Sequence, residues 1–167
     1  LLSGGTGSVS HTEEVPSFLP YRFEPGTPNI PGILGLHAAL CDLEQTDMDK
    51  LHQHELELTQ YFINGLMQMD PSESTLRAIG KHNTIERTSV VSVQTLQTDM
   101  ARVAYEMDDT YGIMTRVGLH CAPSAHKTLG TYPEGTIRFS FGPENTHHEV
   151  DLALHALAEI TGSPYHL

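Results

Sequence analysis

The chain holds little of what would place it in several large classes of protein. Two cysteines in 167 residues, Cys41 and Cys121, make a poor disulfide framework, so a reducing compartment, the cytoplasm, is the expected location. No apolar run approaches the roughly 20 residues that a membrane-spanning helix needs. No secretory leader opens the chain. Positive charge is scarce: nine Lys and Arg stand against 21 Asp and Glu, for a formal charge of −12. That balance argues against nucleic acid and against a membrane surface as partners. Internal repeats and low-complexity tracts are missing too. So is an initial Met, and Leu1-Leu2-Ser3-Gly4-Gly5 reads like the interior of a longer protein.

What is present describes an ordinary globular protein, with 38% hydrophobic and 18% charged residues and enough length for one domain with a real core. Eleven histidines soften the negative charge as pH falls towards 6. Residues 1–32 are dense in Gly and Pro and are expected to run as an extended arm. Phe18, Leu19, Tyr21 and Phe23 are too apolar for a free linker, so this arm should dock on something. The Gly4-Gly5-Thr6-Gly7 opening can offer backbone N–H groups to a phosphate, but it lacks the Lys-Ser/Thr ending of a nucleotide loop.

Helical spacing of Ile33, Leu36, Leu40 and Leu43, after Pro31, predicts a first helix. Thr46 is the expected N-cap of a second, over about 47–69, which Asp70-Pro71 ends. Strands are expected at 75–79, 88–95, 113–117 and 136–141. In the last, Ile137, Phe139 and Phe141 share one face and Arg138 takes the other. A helix through Met100 and Met107 should close at Gly112, and Thr146 to Glu149 has capping-box spacing before a final helix. The expected class is α+β, a small mixed sheet with helices on one face. Three segments are expected: the arm 1–32, connecting helices 33–70, and an α+β domain 71–167 with the cysteine loop.

The chemistry concentrates in Arg116-Val117-Gly118-Leu119-His120-Cys121-Ala122-Pro123. The thiolate is the reactive form of cysteine, and a cation and an imidazole nearby favour it. Gly118 accepts a positive φ, and Pro123 ends regular pairing, so Cys121 should stand on an exposed loop. Spacing alone leaves the other reading open, that Cys121 packs in a core as most cysteines do.

Read together with Gly4-Gly5-Thr6-Gly7-Ser8, with Pro20-Tyr21-Arg22-Phe23-Glu24-Pro25-Gly26-Thr27-Pro28-Asn29 and with Arg138-Phe139-Ser140-Phe141, that stretch resembles the C-terminal part of a cysteine desulfurase. These are enzymes of the class V aminotransferase group, dependent on pyridoxal 5'-phosphate. The resemblance implies the small C-terminal domain of that fold plus a strip of the larger one. It implies Cys121 as the nucleophile that takes sulfur from L-cysteine as a persulfide and leaves alanine. Arg138 would clamp the substrate carboxylate, and Arg116 would position substrate or tune the thiol. His120 and Asn29 would stand near the substrate. Thr27, with Gly4, Gly5 and Thr6, would reach the cofactor phosphate in a homodimer, and a sulfur-acceptor protein would follow as partner.

The lysine that carries the cofactor in this family precedes the Gly-Gly block, so this chain alone is expected to be inactive. Ser124-Ala125-His126-Lys127 imitates the surroundings of that lysine but follows the cysteine, and Lys127 is expected at the surface. Selenocysteine lyase and a plain class V aminotransferase share the scaffold and remain alternatives, as does a dimerisation module without chemistry. No metal site is expected: His52 and His54 do not share a helix face, and His147 and His148 are adjacent.

Overall fold

The computed structural model describes residues 7, 9 and 11–164, in two compact units, Leu1–Asp47 and Met48–Leu167. The expected segment of connecting helices, 33–70, is divided by that boundary.

In the first unit a turn-rich stretch leads into helix α1, Ile30–Gln45. Asn29 caps it, its side-chain oxygen accepting the Gly32 N–H at 3.1 Å, and Pro31 sits in the first turn where a missing N–H costs nothing. Thr46 does not cap the following helix as expected. It closes α1, its hydroxyl donating to the Asp42 carbonyl at 2.9 Å and its N–H to that of Leu43 at 3.1 Å. Among the described residues α1 buries none, and Ile30, Ile33, Leu34, Leu36, Leu40 and Leu43 are all exposed.

The second unit opens with α2, Met48–Met69, followed by β1, Leu76–Ile79, and β2, Val90–Thr95. Then come α3, Met100–Tyr111, β3, Arg116–Gly118, α4, Pro123–Leu129, β4, Thr136–Ser140, and α5, His147–Thr161. The described strands form one antiparallel sheet in the order β1-β2-β4-β3. Strand alternation sends Val91, Val93, Ile137 and Phe139 to one face, where they join a core with α2 and α3, and α5 packs on both of those helices. Phe62 of α2 meets Phe139 and Phe141, with ring centroids 4.8 and 5.3 Å apart. Gly65 gives α2 its close approach to α5: a Cβ there would overlap Leu154.

The ends of these elements follow local chemistry. Gly112 closes α3 in the left-handed conformation, and Thr146 and Glu149 form the expected capping box on α5. After α2 the buried Asp70 carboxylate accepts the N–H groups of Thr75 at 2.6 Å and Leu76 at 3.0 Å, which fixes the entry to β1. Burial alone would push its carboxyl up. The Leu76 and Thr75 N–H groups and the Ser72 hydroxyl outweigh it and hold the group well below the usual carboxylate range. Strand β3 is shorter than expected: pairing starts at Arg116, and Ile113 to Thr115 run outside the sheet. Pro123 does end strand structure after the cysteine, but it does so by opening α4.

Candidate active site

The sheet face turned away from the helices carries the two arginines singled out in the sequence. Arg116 on β3 and Arg138 on β4 are direct cross-strand partners. Opposed like charges destabilise a sheet unless something of the other sign lies between or above them. Among the described residues no acidic side chain pairs with either guanidinium, and the Arg138 Nε is buried without a hydrogen-bond partner.

Beyond β3 the chain turns through Gly118, at φ 109°, into a loop that ends where α4 starts. Cys121 stands on this loop, exposed, with its thiol 4.0 Å from Arg116 Nη2. The core-packing alternative for Cys121 is thereby removed. Two consecutive residues of the loop, His120 and Cys121, adopt left-handed backbone at φ 50° and 59°. The His120 ring lies within 3.1 Å of the Thr136 hydroxyl through Nε2, two residues along β4 from Arg138. Burial, then the charges of Arg138, His126 and Arg116, lower its pKa from the usual histidine value.

The loop is underpinned by residues whose role the sequence reading missed. Gly135 lies so close to the Gly118 backbone that no side chain fits there. Its carbonyl accepts from Gln94 Nε2 at 3.2 Å, and Gln94 in turn accepts from Arg77. His126 on α4 is buried, bonded to the Thr131 hydroxyl at 2.7 Å, with its ring 5.7 Å from that of His120. A glycine just before an apolar strand was the only local signal for the first of these. Lys127 is exposed, as expected, over the Tyr132 ring.

Cys121, Arg116, Arg138 and His120 thus come together in the second unit. Thr27 and Asn29 belong to the first and are exposed, and Gly4, Gly5 and Thr6 lie outside the described residues. Within the first unit Gly7 meets the Gly26 backbone so closely that a Cβ would overlap its carbonyl oxygen, which brings Thr27 next to the end of the Gly-rich run. His54 of α2 and His147 of α5 pair within the unit: His54 Nε2 bonds the Asn145 carbonyl at 2.9 Å, and His147 lies 3.5 Å from Glu57. Among the described residues no group of three or more His, Cys, Asp or Glu is placed to hold a metal ion. No described helix is long and apolar enough to cross a membrane.

The chain belongs to the aminotransferase class-V family, whose pattern matches residues 1–153. Its relatives narrow the comparison. A protein of Pyrococcus abyssi described as a probable cysteine desulfurase is 35% identical over 144 residues, 86% of this chain and 34% of its own length. One of Methanothermobacter thermautotrophicus, described in the same words, is 32% identical over 164 residues, 97% of this chain and 40% of its own length. The apo cysteine desulfurase from Thermococcus onnurineus NA1 superposes with a TM-score of 0.76 at 32% identity, covering 97% of this chain and 39% of that one. The chain therefore spans about a third of the curated relatives it matches, 30% and 34% of two of them. The expected α+β fold, a small sheet with helices, is the one found, with the described strands all antiparallel where a mixed sheet was expected.

Proposed function

We propose that this chain supplies the sulfur-accepting part of a cysteine desulfurase, cytoplasmic and dependent on pyridoxal 5'-phosphate. One observation carries the reading: an exposed thiol stands beside Arg116, whose cross-strand partner is Arg138, and neither guanidinium pairs with a carboxylate of the described residues. A free amino acid supplies the missing anion, and a planar guanidinium suits its carboxylate. Arg138 is the clamp, and Arg116 shares its charge between that carboxylate and the thiol. Clamping the carboxylate orients the substrate's sulfur towards the loop.

The Cys121 thiolate attacks that sulfur. A sulfur–sulfur bond forms, the carbon–sulfur bond breaks, and its electron pair stays on carbon. Replacing the sulfur there by a proton gives alanine, so cysteine and thiol become alanine and persulfide with all atoms conserved. The exposed loop then presents the persulfide to a sulfur-acceptor protein. Pyridoxal 5'-phosphate, when bound, supplies the sink for negative charge on the substrate carbon. The close approach of Gly7 to Gly26 fits a phosphate cradle made by Thr27 and the Gly4-Gly5-Thr6 run in a homodimer, with Asn29 beside it. Alone, the chain should be inactive, because the lysine that carries the cofactor lies in the part its relatives add.

The test is turnover of L-cysteine by the chain joined to that part, with alanine and Cys121 persulfide measured together. Equal amounts of the two, abolished in Cys121→Ser, support the reading. Exchange of amino and keto acids without persulfide would make it an aminotransferase instead. A strong preference for selenocysteine would make it a lyase of that amino acid.

A further inference from the structure

His120 is held more elaborately than a residue next to a nucleophile requires. Left-handed backbone is unfavourable for residues other than glycine, and here two such residues are adjacent, at φ 50° and 59°. The His120 ring reaches Thr136 on β4 at 3.1 Å and lies against the His126 ring at 5.7 Å. His126 is itself fixed, buried and bonded to Thr131 at 2.7 Å. The His120 Nδ1 is buried with no partner. That favours the tautomer in which Nε2–H donates to Thr136, since a bare lone pair tolerates isolation better than an N–H. A ring held in this way restrains the backbone of the residue that follows it.

We propose that His120, seated between Thr136 and His126, is a positioning residue that keeps Cys121 in its left-handed turn and so keeps the thiol beside Arg116. This rests on the reading of Cys121 as the sulfur-accepting thiol. Once the Thr136 contact is lost, the loop relaxes towards ordinary backbone and Sγ leaves the guanidinium.

The experiment uses this chain with Cys41→Ala, so that Cys121 is the sole thiol. Its alkylation rate is measured with anionic iodoacetate and with neutral iodoacetamide, and the ratio is taken. Thiolate fraction cancels in that ratio, which then reports the local positive charge. The ratio should drop at least about threefold in His120→Asn and in Thr136→Val, to the level of Arg116→Gln. Thr136→Ser, which keeps the hydroxyl, should restore it. Asn tolerates left-handed backbone and Val keeps the β-branched shape, so both variants retain the fold, and circular dichroism checks this. A parent-like ratio in either folded variant overturns the proposal. Neither reagent is a substrate, so failed cysteine turnover in the longer enzyme would overturn the desulfurase reading and leave this ratio where it was.

Discussion

The two faces of one sheet obey opposite rules. Towards the helices, Val91, Val93, Ile137 and Phe139 are buried and each meets apolar neighbours. Towards the other side, Arg116 and Arg138 oppose each other, and a guanidinium nitrogen is buried without a partner. The same alternation along β4 produces both faces, since Ile137 and Phe139 flank Arg138. The first face shows how the chain stays folded. The second leaves interactions unfinished, and that is why the proposed chemistry is put there.

Substitutions on the two faces should therefore diverge. Phe62→Ala removes a ring from the centre of the helix side and should cost about 3–5 kcal/mol in urea unfolding of this chain. Asp70→Ala strands the N–H groups of Thr75 and Leu76 and should cost about 3 kcal/mol in the same assay. Because the Asp70 pKa is depressed on folding, its contribution is complete above about pH 4, the unfolded value, and fades as pH falls further. Asp70→Asn should flatten that acid limb.

His120 also titrates on the acid side, nearer neutrality, and with a smaller effect. Its lowered pKa, set by burial and by Arg138 of β4, His126 of α4 and Arg116 of β3, means that the unfolded chain takes the proton first. Stability should thus be full above about pH 6.5 and decline as pH drops until the folded ring protonates too. A stability profile without that decline in wild type, or with it intact in His120→Asn, would contradict this assignment. The smallest change is expected on the open face. Arg116→Gln relieves the opposed charges and should raise the unfolding free energy by roughly 0.5 kcal/mol, while in the longer enzyme turnover falls. A large loss of stability there would erase the contrast between the faces.

Much of this arrangement was legible in the sequence because its signals are local. The apolar period of α2, the glycine that closes α3, the capping box of α5 and the isolation of Arg138 among apolar residues each lie within one element. The exposed loop was legible through the company Cys121 keeps. What escaped depends on pairs distant along the chain. The register that sets Arg116 opposite Arg138, the contact of Gly135 with Gly118 and the stacking of His126 behind His120 come from tertiary packing and leave no periodic trace. Thr46 misled because a hydroxyl between two helices serves the end of one as readily as the start of the next.

The left-handed turn at Cys121 also limits which replacements can be interpreted there. A β-branched side chain is poorly seated at such a φ, so Thr or Val at this position would disturb the backbone together with the sulfur. Serine and selenocysteine change a single atom and leave the branching as it was. Only substitutions of that kind separate what the atom does from what the turn imposes.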